Sequence, residues 1–308
     1  ISEATRKRVL EAVDRLGYVP NGAARAMAMR RTMAIGALIP RFGSSSFPTM
    51  VQALESALAR EGYTLLLAAP DHQTPQSAAM VRTMLERGVD AIALLGSQHP
   101  RDVFALLNAH GTPFVQLWTQ DETQGPCVGF DEHRAAALVI RQLADLGHRR
   151  LGFIGGHTHN NERAQARLIG LMRAIAQHGL LLREDVIIET DYGFQQGFDA
   201  MNRIRLLHSD VTAVVCGNDY LAAGALSALD LAGVRVPEQL SVISFNDNDF
   251  APFLHPPLTT VHLPIREIGE HGARLLLARL RHETIEPLPS LPVTLMVRQS
   301  TGPVPVPN

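Results

Sequence analysis

Cysteine is nearly missing from this sequence. Among 308 residues there are two, Cys127 and Cys216, far apart and in no CxxC or metal-ligand spacing. That excludes a disulfide framework and fits a reducing, cytoplasmic compartment. No apolar run reaches the roughly eighteen residues a membrane-spanning helix needs, so no membrane partner is expected. The chain opens on Ile1-Ser2-Glu3. No hydrophobic leader is visible there, and without an initiator methionine the front of the gene product is expected to be missing.

The usual traces of enzyme chemistry are lacking too. There is no GxSxG elbow, no GxxxxGK[ST] phosphate loop, no HExxH and no GxGxxG after a strand. Gly152 to Gly156 is a glycine-bearing strand end that reads as a sharp turn. His157 and His159, two apart in a turn, read as solvated loop residues rather than metal ligands. Ser44-Ser45-Ser46 has no base partner in sequence. No enzyme, cofactor or metal is expected.

What is present is the composition of a globular chain, 46% hydrophobic and 19% charged, long enough for two domains. Charge is uneven along it. Residues 1–32 carry seven basic side chains against three acidic ones, a formal +4, leaving −6 for the rest of a chain whose total is −2. A basic head on an acidic body points to a polyanion for the head and another partner for the body, or to a solvated helix face.

Residues 3–16 read as a helix capped by Ser2 and ended by Gly17, with Val9, Leu10, Val13 and Leu16 on one stripe. A turn leads into a second helix over 22–29, which Asn21 can cap. Ala23, Ala24, Ala26, Met27 and Ala28 give it little bulk, so about two turns should fold only against a surface. From Met33 onward, apolar runs at 33–39, 63–69, 90–95, 113–118, 150–154, 185–190, 211–216 and 241–245 alternate with amphipathic stretches. Those stretches lie at 48–61, 76–87, 101–109, 132–146, 161–178, 195–206 and 219–232. The pattern predicts an α/β protein of parallel sheets flanked by helices, two similar units in series. A strand at 258–263, a helix at 264–281 and a strand at 291–298 would cross back between them, giving a two-lobed body with a cleft.

The ordered set of local sequences resembles a known family. It runs through Leu16-Gly17-Tyr18, Pro20-Asn21, Ala24-Arg25, Arg31-Thr32 and Ile35-Gly36, then Arg87 to Ile92 and Leu146 to Gly155. It continues with Arg167 to Gly170, Asn218-Asp219, Gly224 to Leu226, Val236-Pro237, Ser241 to Phe245 and Pro257 to Val261. In that order these resemble the LacI family, of lactose- and purine-repressor type. Gly125 to Asp131 is similar to its gluconate-type regulators.

The resemblance implies a repressor that binds operator DNA as a dimer, with a periplasmic-binding-protein-like body holding a small effector between its lobes. The implied domains are 1–32, the remnant of a helix-turn-helix headpiece and its hinge helix; 33–132 plus 264–290, the first lobe; and 133–263 plus 291–303, the second. The base-reading helix would precede Ile1, so operator binding is expected of the full-length protein. In the hinge, Asn21, Arg25, Met27 and Arg30 are the DNA-facing candidates. Met27 stands where the family usually has a leucine that wedges into a base step. No heptad tail follows Thr301, which favours a dimer over a tail-linked tetramer, and 48–61 with 76–87 are the candidate dimer helices. A sugar-binding solute receptor shares such a body, but the basic hinge segment argues against it.

Effector candidates carried over by position are Ser44, Ser46 and Phe47 after the first strand, Asp71 after the second and Trp118 after the fourth. In the second lobe they are Asn161, Arg163, Arg167, Tyr192, Asn218 and Asn246. Strand C-terminal ends are where open α/β sheets take ligands. Trp118 could lie flat on a sugar or simply pack between lobes. A buried Arg167 needs an anion or several acceptors, which an internal salt bridge would also supply. Asn246 occupies a position usually held by aspartate. Two arginines without that carboxylate favour an anionic effector, a sugar acid such as gluconate, over a neutral sugar.

Overall fold

The computed structural model describes residues 2–18, 26, 27, 29, 31–40, 46–70, 77–208, 210–284 and 289–304. Helix α1, Glu3–Leu16, forms as its ends dictate: the Ser2 hydroxyl accepts from the Thr5 amide, and Gly17 closes it at φ +59°. On its stripe, Val9 is 56% and Leu16 74% exposed. Ala26, Met27 and Met29 are helical, and the Met27 side chain is exposed rather than packed on the body. Asn21, Arg25 and Arg30 lie outside the described residues, as do Ser44 and Asp71.

The body holds two sheets. The first contains β1 (Ala34–Leu38), β2 (Thr64–Ala68), β3 (Ala91–Leu95), β4 (Phe114–Leu117) and β5 (Cys127–Val128), ordered β2-β1-β3-β4-β5 and all parallel. Its crossovers are α2 (Phe47–Ala59), α3 (Ser77–Glu86) and α4 (Arg101–Ala109). The second contains β6 (Arg150–Gly156), β7 (Leu181–Thr190), β8 (Ala213–Cys216), β9 (Ser241–Asn246), β10 (Thr259–His262) and β11 (Thr294–Met296). Their order is β11-β10-β9-β8-β6-β7, with only the β10–β11 pair antiparallel. The helices α5 (Glu132–Asp145), α6 (Glu162–His178), α7 (Phe194–Leu207) and α8 (Asp219–Leu231) cover it.

Strand β3 is buried along its whole length, as a strand covered on both faces must be. The chain passes to the second sheet after β5 and returns after β10 as α9, Ile265–Leu280, which packs on α2 and β4. It then goes back as β11. Beside these crossings Phe130 bridges Leu291, whose amide donates to the Gly129 carbonyl at 3.0 Å. The result is the two-lobed α/β body that the alternation of strand and helix implies.

Two elements differ from the expectation. Strand β5 has two residues, too few to show a period. Strand β7 begins at Leu181 rather than 185: Arg183-Glu184-Asp185 interrupts its apolar pattern, and the pairing with β6 shifts register between Leu151 and Phe153 at that point. Helix α2, a candidate dimer helix, turns Met50, Val51, Ala53, Leu54 and Leu58 inward.

Candidate functional site

The strand C-terminal ends of the two sheets face one another, and the side chains there come from short, well-capped turns. Asn161 caps α6 by accepting from the Ala164 amide at 3.3 Å, and Asn218 caps α8 by accepting from the Leu221 amide at 2.9 Å. Asp131 caps α5 through the His133 and Arg134 amides, which puts Glu132 at the first helical position. Trp118 and Asn246, the residues at the ends of β4 and β9, have φ of +62° and +111°. Such backbone persists in a non-glycine residue only where its surroundings fix it.

Arg167, on the second turn of α6, is 5% exposed. Its Nε donates to Glu132 Oε2 at 2.9 Å, its Nη2 to Glu132 Oε1 at 2.8 Å and its Nη1 to the Gly217 carbonyl at 2.5 Å. The guanidinium also lies 4.5 Å from the centroid of the Phe245 ring. Burial opposes its charge, but the Glu132 carboxylate, with Tyr192 and Asp219 beyond it, more than offsets this and holds Arg167 protonated above its ordinary value. Arg163 is paired as well: its Nη1 donates to Glu162 Oε1 at 3.0 Å, and its guanidinium sits 5.8 Å from the Phe47 ring centroid. No carboxylate stands at position 246, but the internal salt bridge open to Arg167 is present. Each arginine arrives with its own glutamate, and nothing in the sequence ties Glu132 to a residue 35 positions away.

Trp118 is buried. Its ring meets Phe47 and Phe130 edge-on at centroid distances of 5.5 and 5.7 Å, and its Nε1 donates to Glu132 Oε1 at 3.4 Å. Tyr192 rests where Gly156 has no side chain; a Cβ there would overlap the ring. Burial pushes the Tyr192 phenol up.

Several bonds join the two sheets' ends. Asn246 Nδ2 donates to Ser46 Oγ at 2.8 Å, and Ser46 Oγ donates to Asn248 Oδ1 at 2.9 Å. The Ser97 amide donates to Glu162 Oε1 at 3.0 Å. This last contact needs Gly96, at φ +80°, because a Cβ there would overlap the Glu162 carboxylate and the Arg163 guanidinium. Behind Asn248 lies Asp219, fully buried. It accepts from the Asn248 amide at 2.6 Å, Asn248 Nδ2 at 3.0 Å, Ser244 Oγ at 2.5 Å and Thr260 Oγ1 at 2.7 Å. Burial outweighs these bonds and pushes its carboxyl up to about 6. Asn246 Oδ1 is buried with no hydrogen-bond partner among the described residues.

Of the described candidates, Ser46, Phe47, Trp118, Arg163, Arg167 and Asn246 therefore converge through direct contacts or through Glu132, Tyr192 lies within electrostatic reach of Arg167, and the side chains of Asn161 and Asn218 serve as helix caps. Sequence reasoning missed Gly96, Ser97, Glu132, Glu162, Asp219 and Asn248. A separate groove of about 760 Å³, lined by Leu226, Val234, Phe253 and Pro256 among others, includes none of the candidates. Among the described residues no group of three His, Cys, Asp or Glu side chains is placed to hold a metal ion. Burial pushes both thiols up, Cys127 to about 11.

Residues 140–301 match the family model of a periplasmic binding protein-like domain. The chain is 31% identical over 288 residues to the HTH-type transcriptional repressor PurR of Vibrio cholerae, covering 93% of this chain and 85% of that protein. Among solved structures it is similar to the transcription regulator GntR from Chromobacterium violaceum, with a TM-score of 0.82 and 31% identity over 87% of this chain and 99% of that one. It is also similar to a LacI family transcriptional regulator from Enterococcus faecium with bound ribose, with a TM-score of 0.77 and 29% identity over 88% of this chain and 99% of the other. These relatives regulate transcription and are not enzymes. A body of two parallel sheets, matched over nearly its whole length to such regulators, makes this chain a member of the LacI family of ligand-responsive transcriptional regulators.

Proposed function

We propose that this chain is a repressor whose full-length form binds operator DNA as a dimer, released or engaged by a sugar-type effector held between its lobes. The first lobe comprises residues 33–132 plus 264–290 and the second 133–263 plus 291–303, with the head and hinge in 1–32. The effector is gripped by Ser46, Phe47, Trp118, Arg163, Arg167, Tyr192 and Asn246, with Ser44, Asp71, Asn161 and Asn218 at the margins. Asn21, Arg25, Met27 and Arg30 are the hinge residues that meet DNA.

One observation carries the reading. The polar bonds from Ser46 and Ser97 to Asn246, Asn248 and Glu162 run from one sheet's strand ends to the other's, so the separation of the lobes depends on what those few groups bind. A ligand that bonds to them can shift the balance between open and closed bodies only by preferring one of the two. The ribose in the Enterococcus faecium regulator makes sugars the first class to try. Leu66 and Leu67, exposed on the edge strand β2, offer apolar surface for a dimer beside α3.

Calorimetry with neutral sugars and their acids tests the first half of the proposal, and retention of genomic DNA fragments by the full-length gene product tests the second. Micromolar binding of one sugar class, with DNA retention altered by the same compound, is the expected outcome. DNA retention indifferent to every compound that binds would overturn it.

A further inference from the structure

We infer that Glu132 is a specificity-determining residue that restricts the interlobe site to uncharged, hydroxyl-rich effectors and discriminates against their carboxylate forms. The inference rests on the effector reading above and decides the chemical class within it.

Arg167 and Glu132 form a two-pronged ion pair whose side chains are 6% and 9% exposed. The third bond of Arg167 goes to the Gly217 carbonyl. The neighbouring cation, Arg163, is matched by Glu162, whose carboxylate also takes the Ser97 amide. Among the described residues around the site, both arginines therefore have their charge matched. A carboxylate entering it would either lose water without gaining a counter-charge or displace Glu132 from a buried pair, and both are costly.

A hydroxyl fares differently. A guanidinium has five N–H donors, and Arg167 spends three in these bonds, so it keeps donors though its charge is compensated. Asn246 Oδ1, buried and unpartnered, is an acceptor waiting for a donor. A hydroxyl can accept from a guanidinium N–H and can also donate to an amide oxygen; a carboxylate can only accept. Glu132 also takes the indole N–H of Trp118, the only tryptophan in the chain, so its state is reported by that ring's emission.

The test is a calorimetric comparison of matched pairs, ribose against ribonate and glucose against gluconate, on the wild-type chain, on Glu132→Gln and on Glu132→Gln with Arg167→Gln. Circular dichroism and Trp118 emission identify the folded variants. The wild type should bind a neutral member at least tenfold more tightly than its acid. Glu132→Gln, which leaves Arg167 uncompensated, should shift that ratio toward the acid by about tenfold or more, with a changed Trp118 emission. The double variant, which removes both charges together with the Arg167 donors, should bind both members more weakly and lose the acid preference of the single variant; a folded double variant that prefers the acid would also overturn the inference. A wild type that prefers the acid, or a folded Glu132→Gln with an unmoved ratio, would overturn the inference while leaving the cleft as the effector site. A wild type that binds neither member of either pair would overturn both.

Discussion

Asp219 is the residue whose chemistry is most altered by its place in the fold. Its carboxyl is pushed up to about 6 by burial, although four donors point at it. A folded value above the unfolded one means that the native state binds the proton more tightly. The associated stability is fully present below the unfolded value near pH 4 and is lost as the pH rises through 6. Two pH units correspond to about 3 kcal/mol, so relative to Asp219→Asn the wild type should be more stable at pH 4 than at pH 7.5 by up to about that amount. Denaturant melts of both proteins at the two pH values check this; a difference independent of pH would refute it. Asn can serve as the reference because Ser244 and Thr260 approach Asp219 through hydroxyls, which rotate to accept from an amide.

The same residue marks the limit of what a sequence discloses. Asp219 stood in a recognised Asn-Asp pair, yet its ties to Ser244, Asn248 and Thr260 depend on three strand ends meeting, which no periodicity encodes. Glu132 is the sharper case: in sequence it is one acidic residue in the first turn of a helix, and only the fold makes it the partner of Arg167 and Trp118.

At the scale of elements the sequence was far more legible. The near-continuous apolar runs of β1, β3, β4, β8 and β9 each reappear within a residue or two of where they were expected, because burial on both faces leaves little choice of residue. Helices α1, α6 and α8 begin at Ser2, Asn161 and Asn218, whose side chains accept from the amides of their first turns, as such caps are known to do. Legibility failed where a strand was too short, as in β5, or carried charges through a bulge, as in β7.

The loop after β3 gives a test at this scale. Gly96→Ala places a methyl where the Glu162 carboxylate lies and strains a backbone at φ +80°. The first-lobe fold should survive with a loss of about 1 kcal/mol, while sugar affinity falls roughly tenfold because the lobes can no longer approach there. Thermal melts and calorimetry separate the two effects. Unchanged affinity would show that this contact has no part in ligand binding.

For the molecule as a whole, the crossings beside Phe130 and Leu291 tie the two sheets, and the bonds of Ser46 and Ser97 are among the contacts between them, with Arg163 beside Phe47 and Arg167 on Glu132. Ser46→Ala leaves Asn246 Nδ2 and Asn248 Oδ1 without partners only when the lobes are together, so it should oppose closure by about 1–3 kcal/mol and weaken sugar binding by at least about fivefold. Whether that closure reaches DNA is the central question. The most direct measurement is the affinity of the full-length gene product for its operator, taken by fluorescence anisotropy with and without the sugar that calorimetry selects, in the wild type and in Ser46→Ala. The account predicts that the sugar changes wild-type operator affinity at least tenfold, and that Ser46→Ala needs proportionately more sugar to reach the same end point. Operator affinity that stays the same in both proteins, with the site empty or saturated, would contradict it.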